Sequence, residues 1–143
     1  MLTTTYQAQL KEKQFVAEGT MAFHFEKPAG FQFRPGRYLD VTLINPPEAD
    51  LDGNIRSFSI ASSPAEVLAT RMRDTAFKCA LRTLPSRVEV QIEGPMGSFT
   101  LHNNTSKAAV FLAGGIGMKP ATGVHDPETL PLGLHCFEIR QRN

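Results

Sequence analysis

Apolar and polar residues alternate through most of the first hundred positions. In TMAFHFEKP, Met21, Phe23 and Phe25 occur every second position among small or polar neighbours, which predicts a half-buried strand. PAGFQFRPG is a turn-bearing link, and Tyr38, Leu39, Val41, Leu43 and Ile44 predict a third strand in RYLDVTLIN. The stretch before them, TTTYQAQLKEKQ, alternates more weakly and reads as an edge strand. NPPEADLDGN is a loop by its density of chain breakers, and NIRSFSIASS and VLATRMR each predict a strand after it. Val88, Val90 and Ile92 make RVEVQIEGP a strand, and GSFTLH reads as one more after a glycine-bearing turn.

The period changes once. In DTAFKCALRTLP, Ala76, Phe77, Ala80, Leu81 and Leu84 fall at helical spacing, with Asp74 or Thr75 as cap and Pro85 as stop. Roughly six or seven strands and one short helix suit a small antiparallel barrel, a mainly β fold. KAAVFLAGGIG differs, because its apolar residues run continuously, as in a strand buried on both faces. A boundary therefore falls near HNNTSK, with a barrel domain over 1–106 and a different unit beginning at 107 and running to 143.

Composition narrows the picture by exclusion. The 143 residues carry 15 basic and 14 acidic side chains and a formal charge of +1, so no nucleic-acid-binding surface is expected. Cys79 and Cys136 lie far apart, and the histidines at 24, 102, 125 and 135 are scattered. No metal site is expected, and free thiols suit a reducing compartment. The N-terminus lacks the apolar core of a signal peptide and no run reaches membrane-spanning length, so the expectation is a soluble, cytoplasmic protein with no membrane partner.

Two stretches carry candidate chemistry. In RSFSIASSP, period-two geometry puts Arg56 and Phe58 on one face and Ser57 and Ser59 on the other. A guanidinium donates bidentately to a phosphate and an aromatic face stacks on a flat ring, which suits a ligand made of both. An ordinary polar strand has the same composition. In TRMRDTAF, Arg71 and Arg73 precede a helix whose start contains Thr75, and unsatisfied N–H groups there favour an anion. A solvated strand end with a routine Thr cap fits that stretch equally well.

RSFSIASSP resembles the Arg-x-Tyr-Ser flavin signature of the ferredoxin–NADP⁺ reductase family, and GPMGSF and VFLAGGIGMKP follow in the family's order over roughly residues 10–120. The resemblance implies a six-stranded antiparallel flavin-binding barrel with one capping helix, followed by the first strand of an α/β nucleotide-binding domain. It implies that Arg56 contacts the flavin pyrophosphate, with Ser57 beside it. Phe58 stands at the stacking position in place of Tyr, and Ser59 at the hydroxyl near the flavin's reactive N5, the one catalytic position. Arg71, Met72 and Arg73 resemble the lining of the ribityl–phosphate path, and Thr75 the helix-start residue at the pyrophosphate. The helix-start site favours FAD over FMN. Gly114, Gly115 and Gly117 stand where the family's nicotinamide nucleotide domain begins. Arg37 takes a place often held by Gln, and Lys119 one usually held by Thr.

Only 26 residues follow Gly117, and Pro120, Pro127, Pro131, Gly123 and Gly133 oppose a crossover helix among them. NAD(P)H binding by these glycines is therefore not expected. Residues 107–143 are expected to pack back on the barrel, pair with another copy as a homo-oligomer, or stay disordered, with LHCFEI as one further strand. Two classes of function follow from the resemblance. One is an FAD module of an NAD(P)H-dependent oxidoreductase, incomplete by itself and working with an electron-transfer protein or separate redox subunit. The other is a non-catalytic flavin-binding or interaction barrel. A small β-barrel unrelated to flavin is a third reading.

Overall fold

The computed structural model describes residues 3–34, 36–48, 50–60, 67–71, 75–100, 102–104, 106–107, 109–114 and 134–139. The element order is β1 (Thr4–Ala17), β2 (Thr20–Phe25), β3 (Tyr38–Leu43), β4 (Ile55–Ser59), β5 (Val67–Arg71), α1 (Ala76–Thr83), β6 (Glu89–Met96), β7 (Ala109–Gly114) and β8 (Leu134–Ile139). Six strands form one sheet in the order β4-β3-β6-β1-β2-β5, and β7 and β8 form a second. Every pairing is antiparallel. The mainly β barrel with a single helix expected from the alternation is the fold observed.

Three local expectations need correction. β1 is interior, between β6 and β2, because its 14 residues are long enough to pair on both sides. Its alternation is weak because its C-terminal half runs out to solvent, where Phe15 is exposed, while Ala8 and Leu10 are buried. β2 is buried beyond its alternating face, with Thr20 and Ala22 covered as well. Residues 97–100 form no strand: Gly97 takes φ +94 and turns the chain out of the ladder.

The core is built from the inward face of the sheet and from α1. Leu10, Phe23, Phe31, Val41, Leu43, Ile60, Phe77, Leu81 and Val90 are its largest fully buried side chains. Tyr6 packs edge-on against Phe31, their centroids 5.3 Å apart. The helix closes this core with Phe77, Ala80 and Leu81, as its period predicts. Thr75 caps it, Oγ1 accepting from the Lys78 N–H at 3.3 Å, and Leu84 ends it before Pro85. At the other end, Lys13 Nζ donates to the carbonyls of Arg82 and of Leu84, the latter at 2.7 Å, so β1 supplies a cation where the helix dipole is negative.

β7 pairs with β8 from Ala109↔Ile139 to Gly114↔Leu134, so LHCFEI is a strand. The continuous apolar run of β7 suggested a parallel strand covered on both faces. The pairing is antiparallel, in a two-stranded sheet, and Val110 is exposed. No described helix is long and apolar enough to cross a membrane.

Candidate functional site

The six-stranded sheet has two edges, β4 and β5, and its curl brings them side by side without pairing. α1 follows β5 closely in the chain and packs its Phe77 against β4. Of the sequence-predicted site residues, Arg56, Ser57, Phe58 and Ser59 lie on β4, Arg71 ends β5 and Thr75 caps the start of α1.

On β4 the two faces separate as period-two geometry requires. Ser57 and Ser59 point outward, opposite Asp40 and Tyr38 of β3, and Ser57 Oγ donates to Asp40 Oδ1. The Ser59 hydroxyl has no hydrogen-bond partner among the described residues. Phe58 and Arg56 turn the other way, toward α1. Phe58 is 7 % exposed, with its ring centroid 5.9 Å from that of Phe77. The Arg56 guanidinium carbon lies 5.3 Å from the Phe77 centroid. Phe77 is thus the shared floor under the two β4 side chains, a role its helical period does not reveal.

Arg56 is already engaged. Nη2 donates to Asp50 Oδ1 at 3.0 Å and lies 3.5 Å from Asp52 Oδ2. Nη1 donates to the carbonyls of Ile55, Asp52 and Gly53 at 2.7, 2.9 and 3.2 Å. Asp50 opens a tight turn: its carbonyl accepts from the Gly53 N–H at 3.0 Å, and its Oδ1 from the Asp52 N–H at 3.1 Å. The turn closes on Gly53 at φ +77, a conformation that glycine adopts without strain. Asp50 also lies beside the N–H of Ala76, the first residue of α1, whose dipole favours the ionised carboxylate. Partial desolvation pushes its carboxyl up. The Arg56 hydrogen bond and charge, with the Asp52 and Ala76 N–H groups, outweigh this and hold it below the ordinary carboxylate range. Guanidinium and turn amide therefore make one small anion hole beside the start of α1.

Thr75 lies at that hole as the N-cap. Arg71 ends β5, its backbone paired with Thr20. Met72 and Arg73 lie outside the described residues, as do Gly115, Gly117 and Lys119, while Gly114 ends β7 opposite Leu134. Asp50 was hidden inside a stretch read only as a loop. The local signal for it is the Asp-Leu-Asp-Gly turn six residues before Arg56, the chemistry of a turn whose first carboxylate folds back on backbone amides.

A second feature adjoins β4 across the Tyr38↔Ser59 pair. A cleft of about 730 Å³ is lined by Tyr6, Arg37, Tyr38, Gly94, Met96 and Gly97, among others. Arg37 Nε is buried in the protein without a hydrogen-bond partner. Cys79 on α1 is in no disulfide, and among the described residues no group of three or more His, Cys, Asp or Glu side chains is placed to hold a metal.

No family model matches the sequence. Among curated proteins, the chain is 27% identical over 139 residues to the phenol hydroxylase P5 protein of Acinetobacter pittii, covering 93% of this chain and 36% of that one. It is 34% identical over 100 residues to the reductase component of propane 2-monooxygenase from Rhodococcus jostii, covering 66% of this chain and 25% of that one. The chain thus spans about a third or less of the length of these relatives. Its fold matches ferredoxin–NADP⁺ reductase from Plasmodium falciparum with a TM-score of 0.67 at 16% identity, over 84% of this chain and 51% of that one. An Amycolatopsis cytochrome P450 reductase matches with a TM-score of 0.60 at 19% identity, over 86% and 39%.

Proposed function

We propose that the chain is a member of the ferredoxin–NADP⁺ reductase-like family, that its barrel binds FAD along the unpaired seam of β4 and β5, and that it works as the flavin module of an electron-transfer reductase. One observation carries this reading: the anion hole made by Arg56 and the 50–53 turn, beside the start of α1, stands at that seam and already holds a carboxylate. A phosphate oxygen accepts the same hydrogen bonds, so the donor set fits a flavin pyrophosphate.

Bound FAD supplies chemistry the chain lacks, since flavins accept a hydride and release single electrons. The residues bind and orient it. Arg56 and the α1 amides hold the pyrophosphate, while Thr75 keeps the helix start in place. The phosphate-to-ring path is assigned to Arg71, Met72 and Arg73 on their sequence alone. Ser59 would offer its hydroxyl to the flavin ring, near N5. Phe58 holds the stacking position, and offering a face requires its ring to turn away from Phe77. Reduction by NAD(P)H belongs to a complete nucleotide-binding unit, and we assign no such binding to Gly114, Gly115 and Gly117. An oxygenase component is the proposed acceptor, in the manner named for the relatives. A reducing, cytoplasmic setting suits Cys79, which is in no disulfide.

The test is a titration of flavin-free protein with FAD, followed by its fluorescence and visible spectrum. Stoichiometric uptake is expected, and Arg56→Ala should weaken it by about 10- to 150-fold, the scale of a lost charge-assisted hydrogen bond of roughly 1.5–3 kcal/mol. A wild-type protein that takes up no FAD would overturn the reading.

A further inference from the structure

Resting on the flavin reading above, we infer that Asp50 is an internal competitor for the pyrophosphate site, a tethered carboxylate that must leave before the ligand's phosphates can enter. The donors that suit a phosphate are the same ones that Asp50 takes up. Its Oδ1 receives Arg56 Nη2 at 3.0 Å and the Asp52 N–H at 3.1 Å. A pyrophosphate on Arg56 would need the same guanidinium donor that Asp50 Oδ1 takes at 3.0 Å. Two anions seeking one donor repel each other, so both do not share the hole.

The geometry also gives the carboxylate a way out. Asp50 sits on a four-residue turn whose next residue, Leu51, is fully exposed, and Asp52 is exposed as well. Swinging the turn outward therefore uncovers no core side chain of its own, and the Arg56 stem stays on the Phe77 ring while its acceptor changes. Because the carboxylate is tethered, it competes at the high local concentration of an intramolecular partner. Apparent ligand affinity falls by the fraction of time the hole is open. Asp50 is thus a positioning residue that sets how tightly the module retains flavin.

The experiment measures FAD and ADP affinity, by fluorescence and calorimetry, for flavin-free wild type and for Asp50→Asn, Asp52→Asn, Arg56→Ala and Asp50→Asn/Arg56→Ala. Asparagine keeps an oxygen for the Asp52 N–H, so the turn stays closed, and the Thr75 cap of α1 is untouched. Asp50→Ser keeps one too and serves if Asn disturbs folding. Asp50→Asn should tighten FAD and ADP in parallel by about tenfold, the scale of one ionic competitor removed. Asp52→Asn should change either by less than about twofold, because its exposed charge is screened. The gain should vanish in the Arg56→Ala background. Unchanged or weaker binding by Asp50→Asn would overturn the inference while leaving the flavin reading intact, as would an equal gain from Asp52→Asn, which would mark a general charge effect. Wild-type protein that binds neither ligand sinks the flavin reading instead, and the inference with it.

Discussion

At the scale of single residues, Arg56 and Gly36 show two ways a side chain, or the lack of one, is committed by its neighbours. The Arg56–Asp50 pair is only partly sheltered, with side-chain exposures of 23% and 27%, so its worth depends on ionisation. Asp50 has a carboxyl held below its ordinary value in the folded protein. A depressed pKa means the folded state binds the proton less tightly than the unfolded one. The stabilisation is therefore present above the unfolded value near roughly pH 4 and is lost as pH falls through the folded one. Thermal melts should show wild type above Asp50→Asn at pH 6 and the two converging as pH falls through the folded value; a gap that persists once the carboxylate is protonated contradicts the assignment. Gly36 has φ +88, and a Cβ there would lie 1.7 Å from the Phe99 carbonyl oxygen. That contact is with backbone and cannot be relieved by a rotamer. Gly36→Ala should cost about 2–4 kcal/mol in urea unfolding, the range of combined strain and steric displacement.

At the scale of elements, the hydrophobic period was legible almost throughout. α1 has the buried positions and Thr cap that its sequence predicts, and β3, β4 and β6 alternate around Leu39, Phe58 and Val90. What period cannot supply is neighbours. The weak alternation of β1 suggested an edge, yet β1 is central, because pairing depends on where the partner strands fall rather than on its own side chains. The same limit hid Asp50. A loop carboxylate six positions from an arginine is ordinary in sequence, and only the approach of α1 to β4 makes it the occupant of an anion hole. Phe77 belongs to both lists: its burial was legible, its place beneath Arg56 was not.

At the scale of the whole molecule, the sheet order leaves β4 and β5 as edges lying side by side, and the candidate site is the product of that curl. Among the described residues, β7 pairs with β8 and with no barrel strand. We therefore expect the barrel, residues 1–106, to fold without the rest. A protein cut after residue 106 should keep its urea-unfolding free energy to within about 1 kcal/mol and retain FAD uptake, since no ladder hydrogen bond of the six-stranded sheet is removed. Loss of cooperative unfolding would show that residues 107–143 complete the barrel.

Local order was the sequence's own doing. The two periods, the Thr75 cap, the stop at Pro85 and the glycine turns follow from side-chain sterics and hydrogen bonding over a few residues, which no distant contact has to decide. The Arg-x-aromatic-Ser run and its successors likewise carried the family resemblance before any coordinate did. Only tertiary structure decided which strands are edges, that Phe77 lies beneath Arg56, and that an aspartate holds the anion site. Those are distances between residues brought together by the curl of the sheet, and hydrophobic pattern is silent on them because it records which side is buried and not what is buried beside it.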